Sequence, residues 1–318
     1  MMFMSTLILG VVVMLTSKTW FSAWLGLEIN LLSFLPMILF SSSTSSESGL
    51  KYFLIQAMGS LLILQASFSW TVLPAPYLFF MIPLTLKLGA APLHFWLPDV
   101  TKSLTWRINM ILLTLQKMGP LYLLATISSV YKMPLFIISI FSTIIGALGG
   151  VNEMDLRKLM AFSSISHMGW MTVGMTLTQT HWMLYYLTYV ITSLAVIILF
   201  SKMNIFYLTQ LAPKNKNSML TMLLLLSLGG FPPLLGFAPK WAILNNIISL
   251  SLPLSILLIT TSMLTLYYYI RTGLMTLTLN LSSMKMKLSA YMNMQTLLTI
   301  MSLMGGSLYM LMWSSLTL

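Results

Sequence analysis

The chain has 318 residues, 58% of them hydrophobic and only 7% charged, with a mean hydropathy of +0.91; a domain of that composition would not stay in water, so the expected solvent is lipid. Zero cysteines exclude disulfides, iron–sulfur clusters, thiolate zinc sites and thioether-linked haem from this chain. The net charge of +11 comes from basic residues scattered singly between apolar runs, which excludes the patch or basic arm of a nucleic-acid-binding protein.

The first apolar stretch runs from Met1 to Leu15 with no basic residue before Lys18, which fits neither a cleaved secretory signal nor an Arg-rich transit peptide. A bilayer core about 30 Å thick takes roughly 20 apolar residues per helix. Long apolar runs between Pro, Ser, Asn and charged clusters place spans at 1–16, 20–40, 50–71, 76–96 and 104–130. Six more follow at 134–151, 159–178, 181–200, 219–248, 253–273 and 294–316. The Ser-rich stretch 41–49 reads as a flexible connection. The expected fold is an all-α integral membrane protein of about 11 transmembrane helices, forming one domain over residues 1–318.

Loop charges orient this arrangement, because basic residues collect on the inside of a membrane protein. With alternating spans, the side of the N-terminus receives Lys51, Lys102, Arg107, Arg157, Lys158, Lys202, Lys214, Lys216, Arg271, Lys285 and Lys287, and the other side only Lys18 and Lys132. The N-terminus is therefore expected inside and the C-terminus outside. KLGAAPLHFW (87–96) and LLGFAPKW (234–241) share Gly-x-Ala-Pro with a lysine beside it, five spans apart. An odd offset reverses direction, so two inverted five-helix repeats are expected at about 1–130 and 134–273, with a C-terminal helix at about 294–316.

Subtracting the loop charges leaves Glu28, Lys87, Lys117 and Lys240 inside spans. A charge at that depth costs at least about 2.5–3.5 kcal/mol, and intramembrane ionisable groups mark function by default. One Glu cannot neutralise three lysines, so a simple buried ion pair does not account for the set. A desolvated lysine can bind and release a proton near working pH, and four titratable groups at one depth suggest a proton-conducting row parallel to the membrane.

Two spans carry helix breakers beside an embedded lysine: Gly89 and Pro92 near Lys87, and Gly229, Gly230, Pro232, Pro233, Gly236 and Pro239 near Lys240. Broken helices persist in a membrane only where protein packs them or where they line a watery cavity. Lys117 is likewise followed by Gly119 and Pro120. His94 and His167 are candidate proton shuttles, with core hydrogen bonding as the plainer alternative, and His181 opens the eighth span. No nucleotide-binding glycine motif, catalytic triad or metal cluster is present, and the 29 methionines read as core filler.

WLGLEINLLSF (24–34), MIPLTLKLGAAPLHFWLPDV (81–100), NEMDLRKLMAFSSISHMGW (152–170) and LSLGGFPPLLGFAPKWAIL (226–244) resemble the subunit 2 family of mitochondrial NADH:ubiquinone oxidoreductase, respiratory complex I, one of the antiporter-like families. The resemblance implies proton translocation driven by electron transfer elsewhere, along Glu28, Lys87, Lys117 and Lys240, with Glu28 paired to Lys87. It implies no cofactor in this chain, with NADH, FMN, iron–sulfur clusters and ubiquinone handled by partner subunits. It also implies the mitochondrial inner membrane as location, with the N-terminus in the matrix. Expected partners are the other membrane and peripheral subunits and membrane lipids, cardiolipin among them. Related bacterial chains have fourteen spans, so eleven imply three missing N-terminal helices. A free-standing cation/proton antiporter subunit and an inert membrane scaffold are the competing readings.

Overall fold

A computed structural model describes residues 2–41, 45–68, 76–128, 132–211, 218–232 and 234–278, and these are all-helical apart from turns and one isolated bridge between Asp155 and Tyr207. Among the described residues, six helices are long and apolar enough to cross a membrane: Trp20–Leu39, Ser46–Phe68, Trp106–Ile127, Lys132–Val151, Gln179–Met203 and Leu252–Thr276. Shorter apolar helices include Met2–Thr16, Leu78–Leu88 and Met219–Gly229. The expected C-terminal helix at 294–316, the lysines at 214, 216, 285 and 287, and Pro233 lie outside the described residues. The chain divides into two compact units, Met1–Ser142 and Thr143–Leu318.

In the first unit, helix α1 (Met2–Thr16) turns into α2 (Trp20–Leu39) through a reciprocal cap. Thr19 Oγ1 accepts from the Ser22 amide at 3.2 Å, and Ser22 Oγ accepts from the Thr19 amide at 3.3 Å. The two helices meet backbone to backbone, since a Cβ on Gly26 would stand 3.0 Å from the Gly10 carbonyl. Lipid provides no hydrophobic drive for helix pairing, so such close approach supplies the attraction. Helix α3 (Ser45–Phe68) starts inside the stretch expected to be flexible. Glu47 lies in its first turn, where the helix dipole favours an acid, and pairs with Lys51 one turn on at 2.9 Å.

Helix α4 (Pro76–Leu88) stops short of the expected span end at 96, and the chain resumes as α5 (Trp96–Ser103). Gly89 adopts φ +67°, which a side chain would disfavour, and Pro92 has no amide to continue the ladder. The freed carbonyls are reclaimed: the Trp96 indole N–H donates to Leu86 O at 3.0 Å and the Gln56 amide to Lys87 O at 3.2 Å. The span expected at 104–130 divides into α6 (Trp106–Leu113) and α7 (Leu115–Ile127) at Thr114, an interruption the sequence reading did not foresee. There Thr114 Oγ1 donates to Met110 O at 2.6 Å, while Pro120 withholds a donor from the first turn of α7.

The boundary between the units falls within α8 (Lys132–Val151). The second unit is built on α9 (Leu156–Leu177), buried without a gap from Ser163 to Thr176. Its serines remain compatible with that burial because each hydroxyl donates one turn back, Ser163 to Met160 O at 2.8 Å and Ser166 to Ser163 O at 2.7 Å. Against α9 pack α10 (Gln179–Met203), α12 (Phe237–Ile248) and α13 (Leu252–Thr278), with α11 (Ser218–Gly229) lying against α10 and α13. The expected span 219–248 is thus two helices, α11 and α12. Gly230 takes φ +77°, and Gly236 approaches α11 so closely that a Cβ would lie 1.9 Å from Ser227 O. At one end of this unit, Leu156 N–H donates to Phe206 O at 2.9 Å and Arg271 Nη2 to Glu153 O at 3.2 Å, clasping the loop that precedes α9.

Candidate functional site

Lys87, Lys117 and Lys240 are 5%, 3% and 6% exposed, so all three ammonium groups are removed from solvent. Glu28, on α2, is half-buried. Each lysine stands beside a helix interruption: Lys87 in the last turn of α4, Lys117 in the first turn of α7 after the Thr114 break, and Lys240 in the first turn of α12.

In the first unit, Lys87 Nζ donates to Gln56 O on α3 at 2.9 Å, and the Gln56 amide returns a bond to Lys87 O. Gly59 makes room for the lysine stem, since a Cβ there would stand 3.0 Å from Lys87 Cγ. Glu28 and Lys87 form no contact ion pair. Lys117 Nζ finds no hydrogen-bond partner among the described residues. Lys87 and Lys117 line one cavity with Asn30, Tyr52, Gln56 and Gln116. About 20 Å³ of it is open to water centres, above the ~10–15 Å³ that one water requires.

In the second unit, Lys240 Nζ donates to Gly229 O, the last carbonyl of α11, at 2.9 Å and lies 5.7 Å from the centre of the Trp170 ring. A helix C-terminus carries partial negative charge, so the break between α11 and α12 creates an acceptor for the ammonium group. Trp170 stacks on Tyr185 at 6.4 Å, and the Tyr185 hydroxyl is 2.9 Å from His167 Nδ1. His167, Tyr185, Tyr189, Ser227, Gly236 and Pro239 border a smaller cavity, with about 10 Å³ open to water centres.

The other sequence candidates fall as follows. His94 is buried on the non-helical link between α4 and α5, with Nδ1 3.2 Å from Pro92 O and its ring on Phe95. Pro92 and Gly89 belong to that same link, Pro232 and Gly236 to the α11–α12 junction, and Pro239 to the first turn of α12. His181 joins two helices, its ring bonded to Thr178 Oγ1 and, at 2.7 Å, to Asn246 Nδ2 of α12. Gln56, Gln116, Asn30 and Tyr185 carry no charge and are not apparent in the sequence as partners of the site. Their signal was present in weaker form, as uncharged polar groups set among apolar residues in spans that already held a lysine, or packed against one. No group of three or more metal-ligating side chains occurs among the described residues.

The family model described as "NADH:quinone oxidoreductase/Mrp antiporter, TM" matches residues 17–73 and 65–265. NADH-ubiquinone oxidoreductase chain 2 of Locusta migratoria is 37% identical over 338 aligned residues, covering 99% of this chain and 98% of the relative. Among solved structures, respiratory complex I from Thermus thermophilus matches with a TM-score of 0.81 at 21% identity, over 96% of this chain and 78% of that one. The membrane-bound sulfane sulfur reductase, an archaeal respiratory membrane complex, matches with a TM-score of 0.86 at 18% identity, over 99% and 74%. The structural likenesses establish a shared fold, while the sequence likeness extends over nearly the whole of this chain and of its locust relative. The chain belongs to the NADH:quinone oxidoreductase/Mrp antiporter transmembrane family, alongside the NADH-ubiquinone oxidoreductase chain 2 proteins.

Proposed function

We propose that this chain is a proton-translocating membrane subunit of a respiratory NADH:ubiquinone oxidoreductase in the mitochondrial inner membrane. The observation that carries the reading is the burial of three lysines beside three helix interruptions, none of them in a contact ion pair with a carboxylate among the described residues. Ammonium groups kept at this cost and held only by neutral groups suit reversible protonation better than structural pairing. Protons would pass along Glu28, Lys87, Lys117 and Lys240, with His167 and His94 as shuttles, and electron transfer through NADH, FMN, iron–sulfur clusters and ubiquinone would occur in partner subunits.

Eleven spans in two inverted repeats belong to this reading, supported by the lysine beside each interruption in α4 and between α11 and α12. A matrix-side N-terminus is supported by the loop charges, and cardiolipin is a partner that basic interfacial residues such as Arg157 and Lys158 would suit. A free-standing antiporter subunit would share the family fold. The identity with the locust oxidoreductase chain favours the redox-coupled complex. The deciding experiment is Lys87→Met and Lys240→Met in the assembled complex, reading proton translocation and quinone reduction together. Both should fall while assembly persists, and unchanged pumping in an assembled variant would remove that lysine from the path.

A further inference from the structure

At the end of α9 remote from the Arg271–Glu153 clasp, three helices of the second unit converge. A Cβ on Gly174 of α9 would lie 3.3 Å from Trp182 Cα of α10 and 3.3 Å from Ile243 Cδ1 of α12. His181 is buried in this junction, directly after the exposed residues Thr178, Gln179 and Thr180. The Trp182 indole donates to Gln179 Oε1 at 2.8 Å and fixes the first turn of α10 around it. Among the described residues, no ionisable side chain occurs on α9 after His167, on α11, on α12 after Lys240 or on α13 before Tyr267, and α10 carries none besides His181 before Tyr185. No carboxylate on these helices is therefore placed to receive an imidazolium.

The hydrogen bonds around the ring leave one arrangement of protons. Asn246 Nδ2 on α12 lies 2.7 Å from His181 Nε2 and donates its other hydrogen to Ala242 O at 3.3 Å. A carbonyl only accepts, so the amide must present its nitrogen here, and Nε2 must then be the acceptor of a neutral ring. The ring proton is on Nδ1, facing Thr178 Oγ1. A second proton would set N–H against N–H at Nε2, and the amide could accept it only by flipping its oxygen onto Ala242 O. We propose that His181 is a proton-sensing site: neutral, it ties the end of α12 to α10, and protonated, it releases α12, the helix whose first turn seats Lys240. Asn246 follows Lys240 by six residues on that helix, roughly 9 Å along its axis, so a release at one end bears on the Lys240 bond to Gly229 O at the other. In the orientation proposed for the chain this end faces the compartment that receives protons, so acid there restrains pumping. That consequence rests on the proton-transfer reading, whereas the sensor itself does not.

The test is hydrogen–deuterium exchange of residues 241–248 in the assembled complex between about pH 5 and pH 8, the interval in which histidine changes charge, corrected for the intrinsic pH dependence of exchange. Protons translocated per electron pair are measured alongside, with the pH varied on the receiving side alone. Wild-type protein should exchange several-fold faster in that segment at the acid end and translocate fewer protons there. His181→Gln, which keeps an acceptor for Asn246 but takes no charge, should show neither change. Asn246→Asp should reverse the first, slowing exchange on acidification, because a carboxylate holds an imidazolium. Equal corrected exchange at both ends of the range, acid-induced opening that persists in His181→Gln, or opening that leaves translocation unchanged would overturn the proposal. Should His181→Gln fail to assemble, Asn246→Asp decides: acid-induced opening in that variant would equally overturn it. Lys240→Met tests the parent reading separately, since pumping that survives it refutes the proton row and leaves the exchange result standing.

Discussion

Gly230→Ala tests whether the junction between α11 and α12 exists to seat Lys240. Gly230 adopts φ +77°, a region that costs an ordinary L residue about 1–2 kcal/mol. The added methyl would also stand 3.0 Å from Lys240 Cδ and 3.2 Å from Nζ, and overpacking a filled interior costs about 1–3 kcal/mol. The lysine side chain is the softest element there, so it yields first and gives up its bond to Gly229 O, a charge-assisted interaction of about 1.5–3 kcal/mol. Strain and lost bond are alternatives rather than a sum, which keeps the total destabilisation near 2–5 kcal/mol and within reach of assembly. The expected result is an assembled complex with lowered thermal stability and reduced proton translocation. Gly229→Ala is the control. It sits in helical geometry with its nearest outside neighbour, Tyr269 Cδ2, at 3.3 Å, and alanine favours a helix over glycine by about 0.8–1 kcal/mol. Wild-type pumping by Gly230→Ala, or equal damage from Gly229→Ala, would refute the seat.

Tyr185→Phe removes the hydroxyl facing His167 at 2.9 Å. The stability loss should be about 0.5–1.5 kcal/mol in a thermal unfolding assay, with a drop in pumping if His167 relays protons and none if it only packs. Gly146→Val should prevent stable accumulation of the subunit, because even a Cβ at that position would lie 2.4 Å from the Ser166 amide nitrogen and neither backbone can retreat without separating α8 from α9. Quantifying assembled complex in membranes measures that loss, and normal levels would disprove the close packing.

The charges were legible because a lysine among apolar residues stands out at any register, whereas the groups that hold them were not. Gln56, Asn30 and Tyr185 are ordinary residues until the fold turns them toward a lysine, and a single sequence gives no such direction. The interruptions divide in the same way. Glycine and proline announce the breaks after Leu88 and Gly229 because they remove donors or permit positive φ. Thr114 announces nothing, since its effect comes from a hydroxyl bonding to Met110 O together with a proline six residues further along α7.

The three lysines are held in three different ways, and the difference bears on how charge could move among them. Lys240 takes a carbonyl that the helix break has released, so its bond displaces no other. Lys87 takes the carbonyl of Gln56 inside an intact α3, where the acceptor is shared with the helix. Lys117 takes no protein acceptor among the described residues. An ammonium group bound to a fixed carbonyl loses the charge assistance of that bond on giving up its proton. On the proton-transfer reading proposed above, Lys117 has no such bond to weaken, which suits it to the link of the proposed row rather than its store.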